Sequence, residues 1–179
     1  MGTDAITGSD REVCVDPLAW EDPQAWGEAL AEAYRVIARD VMGPLPIFNH
    51  ALEVEAVGFR LFNGAVMGIM ITPWFLNVVL ASDVIARKPP GSLVRAAFPV
   101  GGLDLIVAEV ASIGRIAACS LFSPMSDFAD MDCARAAAVA ASGALMKKAA
   151  DSAAEVAPQR PISRRNFLRA EIARPMGQG

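Results

Sequence analysis

Apolar residues recur at helical spacing near the start of the chain, where Trp26, Leu30, Ala33, Tyr34 and Ile37 share one face. Asp22-Pro23 supplies an N-cap followed by proline at the first helical position, and Gly43-Pro44-Leu45-Pro46 ends the helix after about Met42. The period then changes from 3.6 to 2. Leu52, Val54, Ala56 and Gly58 fall on one side, with Glu53, Glu55 and Val57 on the other, which predicts a half-buried strand continued by 59–62. Asn63-Gly64 is a hairpin turn into a second strand, Ala65–Ile71, which Pro73 stops. Residues 74–82 form an unbroken apolar run. Periodicity alone leaves both a short helix and a buried strand open there.

Arg87-Lys88-Pro89-Pro90-Gly91 is a loop. Three β-like runs follow at 92–98, 103–110 and 113–122, with turns at Gly101-Gly102 and Ser112. Ser123-Pro124-Met125 is a further turn. Ser126 or Asp127 then caps a helix over 128–156 that carries Phe128, Met131, Leu145 and Met146 among alanines, and Pro158 and Pro161 end it. The order predicts an α+β fold: a mainly antiparallel sheet of about five strands flanked by an N-terminal and a long C-terminal helix, with the helices on one face. The expected organisation is a loosely packed leader over 1–20, one domain over 21–158 and a basic tail over 159–179.

Composition narrows the function classes. A chain of 179 residues that is 54% hydrophobic can bury a sizeable core, which excludes disorder throughout. The net charge of −4 argues against general nucleic-acid binding. That charge is uneven. From Arg160 onward five arginines oppose the single acid Glu171, about +4, which leaves about −8 on the rest. Residues 65–82 are uncharged and long enough for the lower limit of a membrane span, but Pro73, Asn77 and the Asn63-Gly64 turn oppose one, so no stable membrane insertion is expected. Cys14, Cys119 and Cys133 form no Cys-x-x-Cys pair, and the polar N-terminal stretch lacks a signal-peptide core. Both point to a reducing, cytoplasmic setting.

Catalytic equipment is sparse. His50 is the single histidine and has no local signature beside it. Cys119 and Cys133 read as small apolar residues of a strand and a helix, too far apart in sequence for a metal motif, and no phosphate-binding glycine loop is present. No catalytic residue, cofactor or metal is therefore expected. The alternative is a small enzyme using Cys119 or Cys133 with His50. Large apolar residues beside chain breakers suggest a binding surface instead: Trp74, Phe75 and Met125 as anchors, with Glu53, Glu55 and Asp127 available for arginines.

Residues 163–169 read Ser-Arg-Arg-Asn-Phe-Leu-Arg, which resembles a twin-arginine export signal at the wrong end of a chain. Arg164, Arg165, Phe167 and Leu168 are thus candidates for imitating a signal that the protein handles. A solvated basic tail, or a direct contact with a partner, are the alternatives.

Several segments taken in order carry a wider resemblance: 45–50, then Glu53-Val54-Glu55-Ala56-Val57-Gly58-Phe59, then Gly68-Ile69-Met70-Ile71-Thr72-Pro73-Trp74-Phe75-Leu76-Asn77-Val78-Val79-Leu80. Phe98-Pro99, Cys119-Ser120-Leu121-Phe122-Ser123-Pro124-Met125, Ala134-Arg135 and Ser163-Arg164-Arg165 follow. Over about residues 28–170 the chain resembles the [NiFe]-hydrogenase assembly chaperones of the HybE/HupJ type. The resemblance implies a non-enzymatic cytoplasmic chaperone. It would hold a small or large hydrogenase subunit precursor until metal centres are installed and export is allowed. The small subunit carries a twin-arginine signal. Some relatives add a rubredoxin-like domain with two Cys-x-x-Cys pairs; this chain has none, so no iron site carries over.

Overall fold

The computed structural model describes residues 22–147. The leader over 1–20, the tail with Arg164, Arg165, Phe167 and Leu168, and the predicted continuation of the last helix beyond 147 lie outside those residues. The element order is α1 (Pro23–Ile37), β1 (Glu55–Phe62), β2 (Ala65–Ile71), β3 (Leu76–Ala81), α2 (Asp83–Ala86), β4 (Leu93–Phe98), β5 (Gly101–Val110), β6 (Gly114–Phe122) and α3 (Met131–Met146). The six strands form one antiparallel sheet in the order β1-β2-β3-β6-β5-β4.

Local chemistry explains the ends of the elements. The Asp22 carboxylate accepts hydrogen bonds from the backbone N–H groups of Gln24 and Ala25, each 3.0 Å, and so caps α1. Past Ile37 the helix widens into a π-helical turn, Ala38–Met42, before Gly43. Asn63 and Gly64 both have positive φ, 49° and 74°, as a two-residue hairpin between right-twisted strands requires. β4 and β5 are joined through Pro99 and Val100, so Gly101 and Gly102 belong to β5 rather than to the turn. α3 starts later than the pattern suggested. Its cap is Asp130, not Ser126 or Asp127, and the carboxylate accepts from Cys133 N–H at 2.9 Å.

The ambiguous run 74–82 contributes β3, a central strand. Residues 66–74 are all buried. The helices cover opposite faces of the sheet rather than one face. Leu30, Trp26 and Tyr34 of α1 pack with Val66, Met70 and Val79; Ala134, Ala138 and Leu145 of α3 pack with Met67, Ile69, Ile71 and Val78. A strand covered on both sides loses its polar alternation, so β2 and β3 read as an uncharged run. Each fully buried Leu or Ile of this core contributes roughly 1.5–3 kcal/mol.

A β-bulge resolves how one strand serves both layers. The β1–β2 register shifts between Val57 and Arg60, where Gly58 takes φ 64°. Val57 therefore packs on the α3 side, whereas Phe59 is re-aimed to the α1 side. Its ring fills the space that two glycines leave, since a Cβ would lie 2.6 Å from the ring at Gly27 and 2.4 Å at Gly68. The Trp26 ring closes the packing at 5.9 Å.

Candidate binding groove

The Ile-Thr-Pro-Trp-Phe segment crosses between β2 and β3 and is held by one buried hydroxyl. Thr72 Oγ1 accepts from Phe75 N–H at 3.0 Å and from Trp74 N–H at 3.4 Å, and donates to Phe75 O at 3.0 Å. Thr72→Val keeps the shape and strands those N–H groups. It is expected to lower stability by about 1–3 kcal/mol in urea melts, whereas Thr72→Ser stays near wild type. Equal stability of the valine variant would show that the hydroxyl does not hold this turn.

On this turn rests a groove of about 490 Å³, lined among others by Ala38, Gly43, Phe48, Leu52, Val54 and Pro73. The π-helical turn contributes Arg39 to one wall and the chain entering β1 contributes Glu53. Phe48 stacks on Trp74 at 6.1 Å, and Trp74 and Phe75 back onto Tyr34. Burial pushes the Tyr34 phenol up to about 12, so it stays neutral there. The segment that builds the wall also exposes Val36, Val41, Leu45 and Ile47, which are 39–59% accessible. Gly43, Pro44 and Pro46 keep Leu45 and Ile47 out of regular structure, so these two side chains cannot be buried in the sheet. An apolar groove with an apolar rim is the usual mark of an interaction site.

Beyond Glu53 the groove adjoins an acidic region at the start of α3. Asn49 ties it together: its Nδ2 donates to Met125 O at 2.9 Å and to Phe128 O at 2.8 Å, and its own N–H donates to Pro73 O at 2.9 Å. Glu53 N–H meets Met131 Sδ at 3.2 Å. These contacts bring the turn before α3, with Asp127 and the cap Asp130, and the first turn of α3, with Asp132, toward the segment that carries Glu53 and Glu55. Arg135 pairs with Glu55 at 2.8 Å and with Asp132 at 3.1 Å. Glu53 and Asp127 have no ion pair among the described residues. On the opposite wall Arg35 pairs with Glu28 and Glu32, and Arg39 with Asp40.

The residues singled out in sequence fall in this region, but in different roles. Phe75 is half-buried behind the groove. Trp74 is 8% accessible and Met125 is 0%, so they support Phe48 from beneath and serve as the tie-point for Asn49 rather than forming a contact surface. Glu55 does not share a free acidic face with Glu53, because Arg135 holds it. Phe48, Asn49, Leu45 and Ile47 carry the groove and its rim; in sequence they stood only in the 45–50 segment of the resemblance and not as site residues. A further signal was the apolar side chains beside Gly43, Pro44 and Pro46.

The geometry lends nothing to the Cys/His enzyme reading. Among the described residues no hydrogen bond joins His50 to Cys119 or Cys133. The Asp130 carboxylate pushes the Cys133 thiol pKa up, which disfavours the thiolate that a nucleophile needs. His50 instead packs against Phe48 at 4.9 Å. Among the described residues no group of three His, Cys, Asp or Glu side chains is placed to hold a metal ion, and no helix is long and apolar enough to cross a membrane.

Residues 25–170 match the family model described as [NiFe]-hydrogenase assembly, chaperone, HybE. The hydrogenase expression/formation protein HupJ of Bradyrhizobium diazoefficiens is 52% identical over 160 residues, which cover 87% of this chain and 94% of HupJ. The hydrogenase-2 operon protein HybE of Escherichia coli K12 is 29% identical over 52% of this chain and 60% of its own length. The solution structure of HybE from Escherichia coli superposes with a TM-score of 0.55 at 24% identity, over 70% of this chain and 77% of that one, and supports the same fold. By class this is a hydrogenase assembly chaperone. Within that class the chain belongs to the HybE family, as the motifs from Leu45 to Arg165 had implied.

Proposed function

We propose that this chaperone acts in the cytoplasm on a [NiFe]-hydrogenase subunit precursor, and that the groove over Phe48 and Pro73 receives a segment of it. The signal-bearing small subunit is the client that fits best. A twin-arginine signal combines two arginines with an apolar stretch. The groove offers apolar walls beside the unpaired carboxylate of Glu53, with Asp127 in the adjoining turn that Asn49 holds, and this juxtaposition carries the reading. Arginine–carboxylate pairs would fix the register, and the exposed Leu45 and Ile47 would supply apolar contact area. Holding the signal in this way would delay export until the metal centres are in place.

The test uses the full chain and purified small-subunit precursor, with and without its signal. Leu45→Glu combined with Ile47→Glu is expected to weaken precursor binding at least tenfold while leaving the melting temperature unchanged, since both side chains are exposed. Removing the signal should have a similar effect. Undiminished binding by the double variant would place the client elsewhere. Binding that ignores the signal but depends on the groove would favour another segment, or the large subunit.

A further inference from the structure

The groove has a second candidate occupant within the same chain. We infer that residues 163–169 dock in it, with Arg164 and Arg165 at the acidic region and Phe167-Leu168 against the apolar walls, and so compete with a client signal. The competition rests on the client reading above; the docking does not.

Three observations support it. The first is charge. Glu53 lines the groove, Glu55 and Asp132 share Arg135 beside it, Asp127 and Asp130 stand in the adjoining turn, and Arg35 and Arg39, which also line the groove, are already paired. The tail from Arg160 onward is about +4. Two arginines facing the unpaired Glu53 and Asp127 would complete the charge pattern. The second is reach. The acidic region lies at the N-terminal end of α3, and the 16 residues of that helix put Lys147 about 24 Å away. Residues 148–163 are sixteen in number and extend to at most about 55 Å, so Arg164 can return along the whole helix. The third is the extent of the matched region. The family match runs through residue 170, so the segment belongs to the matched region and is not an appendage to it.

A tethered segment at roughly millimolar effective concentration, binding with an affinity near ~0.1 mM, weakens a competing ligand about tenfold. The experiment compares the full chain with its Arg164→Gln/Arg165→Gln variant in two measurements. In backbone amide NMR, the substitutions should shift Leu45, Glu53 and Asp127 if the tail sits in the groove. Changes confined to 160–170 would overturn the docking. In a titration with a synthetic twin-arginine signal peptide, the variant should bind about tenfold more tightly than wild type. Equal measurable affinities would overturn the competition. Groove shifts together with no peptide binding by either protein would retain the docking, reject the competition and refute the client reading, so the two failures are distinguishable.

Discussion

Gly68→Ala is expected to be among the most damaging single-methyl changes in this domain, with a loss of about 3 kcal/mol and roughly 10 °C in Tm. The cause is steric and local. The new Cβ would lie 2.4 Å from two atoms of the Phe59 ring. That ring is 5% accessible and is pressed from the far side by Gly27 of α1, so it cannot swing away without displacing the helix. Gly27→Ala meets the same ring at 2.6 Å but gains about 1 kcal/mol of helix propensity, so its net loss should be smaller. Phe59→Ala removes the Cγ and ring atoms that the new Cβ would meet and should rescue Gly68→Ala. The double variant is expected to be more stable than the sum of the single losses by at least ~1 kcal/mol in a urea-melt cycle. Strict additivity would mean that the ring is not what the glycine accommodates.

The same packing shows what a sequence can and cannot reveal. Asn63-Gly64 and Asp22-Pro23 were legible because their conformations are set within a few residues. The strands β4 to β6 were legible as β-like runs between breakers. The placement of α1 and α3 on opposite faces was not. It depends on Gly58 reversing the alternation, so that Val57 and Phe59 serve different layers, and a bulge glycine looks like any other in a strand. For the same reason 74–82 stayed ambiguous, since only the covering of both faces by distant helices explains its lack of polar positions. The site was partly legible. Trp74, Phe75, Met125, Glu53 and Asp127 fall around the groove or the turn beside it, but a large apolar residue beside a breaker reads alike whether it supports a surface or forms one. Glu55 looked free because its partner Arg135 is 80 residues away.

Asn49 is where that long-range assembly is most exposed to a single change. Asn49→Asp preserves the size and the Oδ1 that accepts from Ala51 N–H at 3.0 Å, but replaces a double donor with an acceptor. The carbonyl oxygens of Met125 and Phe128, at 2.9 Å and 2.8 Å from Nδ2, would then face a carboxylate. Losing both hydrogen bonds and adding the repulsion is expected to cost about 2–4 kcal/mol at neutral pH. The pH dependence has a definite sign. Only the protonated acid can donate to one of those carbonyls, so the folded-state pKa of the new carboxyl rises above its unfolded value. The folded variant then binds more protons than the unfolded one, and its stability relative to wild type falls as pH rises through that interval. The deficit should shrink in melts taken toward pH 4. Because Asn49 joins the turn before α3 to Pro73, precursor binding should fail in the variant even below its melting temperature. Asn49→Ser, which can still donate one hydrogen bond, should keep part of both properties. A variant that loses stability but binds precursor as wild type does would separate the acidic region from the client site, and the groove walls alone would then have to account for recognition.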